Sequence, residues 1–279
     1  MSDTSLDLDA YLGRIGYSGP REARPAALSA LTEAHASTIP FENLDILLGR
    51  PILLDLASLQ GKLVAGRRGG YCFEQNSLFR AALLALGFRV TPLAARVRSG
   101  APAGAVRPRT HMLLAVELPG DRFLVDVGFG GGGPVRPLRL VEGSETVVGM
   151  SRFRLRREGP VWVLEGDQGD GWQDLYAFTE EPQEPVDFEV ANWFTSTWPT
   201  SPFVTSLVAH RQGLDERATL RDRELTLSDA DGVRTETIRD PEHLLEVLRG
   251  RFGLAFPSGT RFAAPAFPPL TSVPLRSLP

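Results

Sequence analysis

The apolar residues of this chain change period once, near Arg89, and that change most limits what the chain can fold into. Before it the spacing follows three and four. Leu8, Tyr11, Leu12 and Ile15, then Leu28, Leu31 and His35, each mark one face of an amphipathic helix. Leu56, Leu59 and Leu63 predict a third helix, ended by Gly66. Leu78, Phe79, Ala82, Leu83 and Leu86 predict a long helix over residues 72–86, stopped by Gly87. After Arg89 the pattern alternates in twos or runs short and apolar, and residues 89–98, 110–118, 122–129, 152–157, 161–165 and 172–178 read as strands. Pro-Gly-Asp, Glu-Gly-Pro and Asp-Gly turns separate them, so hairpins and an antiparallel sheet or barrel are expected. The alternating arginines Arg152, Arg154 and Arg156 read as a solvated face.

The Pro-rich stretch 181–185 marks a boundary, beyond which Asp187 is expected to cap a helix through Trp193. Residues 225–227 and 233–238 flank Asp229-Ala230-Asp231-Gly232 as a hairpin, and Asp240-Pro241 starts a helix through Leu248. The tail from Pro257 is Pro-rich and reads as extended. The expected class is α+β: a helical bundle over 1–87, an antiparallel β-barrel over 88–183 and a mixed α/β lid over 184–279.

Composition narrows the functions. With 42% apolar and 23% charged residues in 279, the chain can bury a sizeable core. No run of about 18 apolar residues occurs, and the start, Met1-Ser2-Asp3-Thr4-Ser5, is polar and acidic, so neither membrane spanning nor secretion is expected. A net charge of -4 gives no electrostatic reason to bind nucleic acid. The single cysteine, Cys72, cannot form an internal disulfide or a Cys-rich zinc site, and a reduced cytoplasm is the expected location. No HExxH or CxxC spacing supports a metal.

Cys72 sits in Arg67-Arg68-Gly69-Gly70-Tyr71-Cys72-Phe73-Glu74-Gln75-Asn76, after a Gly-rich turn and at a predicted helix start. Orphan N–H groups there favour thiolate over thiol, and Arg67 and Arg68 are placed to act in the same direction. Taken alone, a small buried structural cysteine is an equally good reading. Of the histidines, only His111 falls in an apolar strand, where an unpaired imidazole is costly; His35, His210 and His243 read as helix-surface or capping groups. The next strand carries Asp126 among apolar residues, and a buried carboxylate also needs a donor. With a two-residue turn at Pro119-Gly120, Leu118 pairs with Asp121, and His111 lies diagonally beside Asp126 on one face. A three-residue turn puts them on opposite faces. Cys72, His111 and Asp126 then supply a nucleophile, a base and an orienter, a cysteine-protease-like core suited to acyl transfer.

Residues 67–76, with Ile39-Pro40-Phe41-Glu42-Asn43-Leu44 upstream and Leu124-Val125-Asp126-Val127-Gly128-Phe129-Gly130 downstream, resemble an arylamine N-acetyltransferase, and the missing vertebrate-type loop insertion makes the bacterial type the closer match. The resemblance implies a ping-pong enzyme in which Cys72 takes acetyl from acetyl-CoA, a substrate and not a resident cofactor, and passes it to a small arylamine, arylhydrazine or N-hydroxyarylamine. It implies Cys72, His111 and Asp126 as the triad, and Phe129, Phe203, Val97 and Arg68 as acceptor-binding residues. Gly128, Gly130, Gly131 and Thr110 are then the residues expected to admit the CoA arm. Residues 128–133 also match GxGxxG, but Pro134 and Pro137 follow where a dinucleotide fold needs a helix. The Phe41-Glu42-Asn43-Leu44 segment reads as a core-packing turn, with Glu42 paired to Arg67 or Arg68. Two alternatives stay open: a cysteine hydrolase or amidase using the same triad, and a CoA-binding module without turnover.

Overall fold

Helices α1 (Leu8–Ile15) and α2 (Pro25–Thr38) open a computed structural model that describes residues 5–263 apart from 103, 168 and 170. The start Met1 to Thr4 and the tail beyond Ala263, expected to be extended, lie outside the described residues. Strand β1 (Phe41–Glu42) and short α3 (Leu44–Leu47) follow, then α4 (Leu56–Leu59), which runs into a π-helical turn, Gln60–Ala65. Helix α5 (Cys72–Ala85) closes the helical part, and Gly87 after it is left-handed at φ 82°, which stops it as the sequence predicts. Its stripe Leu78, Phe79, Ala82 and Leu83 is fully buried, each large apolar side chain contributing about 1.5–3 kcal/mol.

The barrel strands are β2 (Arg89–Val97), β3 (His111–Leu118), β4 (Asp121–Val125), β5 (Leu138–Arg139), β6 (Glu145–Val148), β7 (Ser151–Glu158), β8 (Val161–Asp167) and β9 (Gln173–Phe178). They form one antiparallel sheet in the order β5-β4-β3-β2-β9-β8-β7-β6, curled into a nearly closed barrel. Strand β3 is buried on both faces, which is why its sequence runs apolar instead of alternating. Leu114 and Val116 face the helices, whereas Leu113 and Ala115 face the barrel interior with Leu124, Phe153 and Tyr176. The arginines of β7 pair with Glu165 and Asp167 on β8, with Asp174 on β9 and with Glu158 at the end of their own strand, and Arg154 also lies over Trp172.

Helix α6 (Pro185–Thr197) begins two residues before Asp187. Proline at its first position sets the start, and Asp187 accepts the Glu184 N–H from the third position instead of capping. The remaining elements are α7 (Pro202–Thr205), β10 (Val208–Gln212), β11 (Arg217–Arg221), β12 (Glu224–Asp229), β13 (Gly232–Thr237) and α8 (Pro241–Phe252), the last capped by Asp240. The second sheet runs β1-β10-β11-β12-β13, so Phe41 and Glu42 from the N-terminal part form its edge, paired with His210 and Ala209. Among the described residues no helix is long and apolar enough to cross a membrane.

Candidate active site

Three elements converge on one buried spot. Helix α5 starts at Cys72, β3 starts at His111, and Asp126 follows the last residue of β4. Leu118 pairs with Asp121, the two-residue turn register, and the ladder continues to Leu114 opposite Val125. His111 and Asp126 consequently share the interior face, with His111 Nε2 2.6 Å from Asp126 Oδ2. All three side chains are buried. The Cys72 thiol donates to the Thr110 carbonyl at 3.7 Å and lies near enough to the His111 ring to favour its charged form. Burial opposes charge on the imidazole, but the Asp126 carboxylate outweighs it, and with Cys72 pushes His111 up to about 10.

Asp126 is held from its other side too. Its Oδ1 accepts from Asn76 Nδ2 at 3.1 Å and from the Gly128 N–H at 2.9 Å, and Asn76 Oδ1 takes the Val127 N–H. Asn76 lies one helical turn after Cys72, so the helix that carries Cys72 also clamps Asp126. That spacing was a readable signal for a residue the motif contained but to which no role was attached. Tyr176 was missed outright. Its ring packs 5.0 Å from His111 and 5.1 Å from Phe129, fully buried, with the hydroxyl beside Asp126. A tyrosine in the apolar run of β9 was its only trace.

The other predicted residues divide. Phe129 joins the site, its ring 5.3 Å from His111. Val97 ends β2 opposite Tyr176. Phe203, on α7, packs against Tyr71 and Phe41 at 5.6 and 5.8 Å, beside the residue preceding Cys72. Arg68 binds Glu42 at 2.7 Å and Asp45 at 3.1 Å, so its charge is taken up in an acidic cluster, which argues for support of the loop and against contact with an acceptor. Arg67 is exposed at φ 48°. Gly128 is tightly packed: a Cβ there would sit 2.7 Å from Cys72 Cα and 2.8 Å from Asn76 Nδ2. Gly130, at φ 84°, and Gly131 rest on the His210 ring, and no helix follows them. Thr110, half-buried, contributes its carbonyl to the thiol.

Two of the three remaining histidines differ from expectation. His35 is fully buried because it occupies the apolar stripe of α2. It accepts from the Tyr11 hydroxyl at 2.8 Å and donates to Gln75, which donates to the Gly70 carbonyl; burial above all pushes it down to about 3, so it stays neutral. His210 belongs to β10 and packs against the glycine run. His243 does stand at a helix start, its N–H bonded to Asp240.

Residues 26–260 match a family model described as N-acetyltransferase. An arylamine N-acetyltransferase of Mycobacterium tuberculosis is 42% identical over 254 residues, covering 90% of each chain, and one from Escherichia coli is 40% identical over 249 residues, covering 88% of each. Among solved structures, the Mycobacterium marinum arylamine N-acetyltransferase in complex with CoA is similar with a TM-score of 0.85 and 42% identity, over 88% of this chain and 92% of that one.

Proposed function

The chain belongs to the arylamine N-acetyltransferase family, and from that membership we propose that its transfer of acetyl from acetyl-CoA to an aromatic amine runs through the thiol of Cys72. The observation that most supports this assignment is the 2.6 Å contact of His111 with Asp126, on a ring whose other neighbour is Cys72. In the first half-reaction His111 already holds the thiol proton, and the Sγ it leaves behind attacks the acetyl carbonyl. The carbon–sulfur bond to CoA then breaks, and the CoA sulfur leaves with that proton. In the second, the amine nitrogen attacks the Cys72 thioester, gives a proton to His111 and displaces the cysteine sulfur, with the proton staying on His111 to restore the starting pair. Asp126 keeps the ring nitrogen facing the thiol available and stabilises the imidazolium between steps.

The same proposal gives Phe129, Val97 and Phe203 to the acceptor, and Thr110 with Gly130 and Gly131 to the approach of the CoA arm. Gly128 serves by letting the Asp126 loop close on α5. Small aromatic amines and hydrazines are the acceptor class that an aromatic wall favours. The direct test is intact-mass measurement after mixing with acetyl-CoA and no amine: one acetyl group on Cys72 is expected, and acetyl found elsewhere or not at all overturns the assignment.

Phe129→Ala separates the halves. Acetylation of Cys72 is expected to stay within about threefold, while the ranking of a panel of arylamines changes by about tenfold, since an aromatic contact is worth about 0.5–1.5 kcal/mol. An unchanged ranking removes Phe129 from the acceptor pocket.

A further inference from the structure

Of the thirty basic residues, Lys62 alone is lysine. A chain that otherwise writes every cation side chain as arginine keeps its one lysine ammonium at a position only 16% exposed, within the π-helical turn. The wide turn, closed by the Gly66 N–H on the Gly61 carbonyl at 2.8 Å, feeds the loop leading to Cys72. The ammonium meets two carboxylates, Asp45 Oδ2 at 2.9 Å and Glu74 Oε1 at 2.7 Å. The other Glu74 oxygen accepts the N–H of Tyr71, the residue immediately before Cys72, at 3.0 Å. Asp45 also binds Arg68, which binds Glu42.

One nitrogen reaching two carboxylates suits a point-charge ammonium better than a planar guanidinium fork. Burial pushes Glu74 up to about 7; Lys62 opposes that through charge and hydrogen bond, and Glu42 adds to it. Removing the ammonium leaves Glu74 protonated at neutral pH, a poorer acceptor for the Tyr71 N–H.

We propose that Lys62 is a positioning residue for the acetyl-carrying thiol: its ammonium holds Glu74, Glu74 holds the Tyr71 N–H, and the first turn of α5 thereby presents Cys72 to His111. This rests on Cys72 as the acetyl carrier, which the wild-type mass measurement tests by itself.

The experiment measures the rate of Cys72 acetylation at saturating acetyl-CoA against pH. Lys62→Met is expected to slow it by about 10- to 100-fold at pH 7, the cost of a small misplacement, with half-saturation within about twofold. The deficit should shrink as pH rises and Glu74 ionises again, and Lys62→Arg, which keeps the charge, should recover part of the rate. A folded Lys62→Met variant within about twofold of wild type, or a deficit equal at every pH, overturns the proposal. Should Lys62→Met fail to fold, the double variants decide. Lys62→Met with Glu74→Gln keeps a carbonyl for Tyr71 and should acetylate at least about tenfold faster than Lys62→Met with Glu74→Ala. Equal rates in the two double variants mean that the cluster only balances charge.

Discussion

Replacing Cys72 with alanine or serine is expected to lower acetyl transfer by roughly 10⁴-fold or more, to the uncatalysed level, because no other thiol exists in the chain to carry the acyl group. Serine is the sharper test. Its hydroxyl can repeat the bond to the Thr110 carbonyl, so the helix start should survive while a far weaker nucleophile faces the donor. Circular dichroism and thermal melting of both variants should match wild type closely. Retention of a tenth of the activity by either would place the covalent step elsewhere.

Asp126→Asn should be nearly as severe, by up to about 10⁴-fold, since an amide can hold the wrong imidazole tautomer while preserving the shape of the site. The same variant has a second signature, in stability against pH. His111 is raised from its ordinary 6.5 to about 10 in the folded chain, so its contribution is fully present below about pH 6.5 and is lost as pH climbs through 10. Denaturant midpoints of the wild type are therefore expected to fall across that window. Without the carboxylate the cause of the raised value is gone, and the midpoint of the Asn variant should be much flatter there. Near-normal acetylation by a folded Asn variant would leave Asp126 a purely structural part.

Much of this site could be read from local pattern, because local pattern determines the parts that hold it. The α5 stripe and Gly87 are short-range signals, and the register of β3 against β4 follows from a single turn. The reading failed where the partner lies far away in the chain. Nothing local announces that Phe41 and Glu42 pair with β10 some 170 residues on, or that Asn43 bonds the carbonyls of Phe203 and Ser206 and the N–H of Val208. The pairing of Arg68 with Glu42 was legible in the sequence, but its second partner, Asp45, was not, and the two carboxylates together take up the charge that the resemblance assigned to an acceptor. Gly128 similarly read as open backbone, whereas Cys72 Cα fills the space beside it. His35 shows the same limit in reverse: its spacing put it on the buried stripe, but its partners Tyr11 and Gln75 come from other helices.

The shared strand β1 has a mechanical consequence. Were the lid a hinged flap, substrates could enter by its rotation away from the helices. Swinging it would tear the Phe41–His210 and Glu42–Ala209 pairing, strip Asn43 of three main-chain bonds, and break the Ala263 N–H bond to the Leu47 carbonyl. The Tyr71 hydroxyl also reaches across to Asn192 on α6. Such a joint resists rigid-body opening, so on the proposed assignment CoA and amine reach the thiol by rotamer changes and local loop breathing around Phe129 and residues 128–133, and amide exchange in β10 should be as slow as in the barrel.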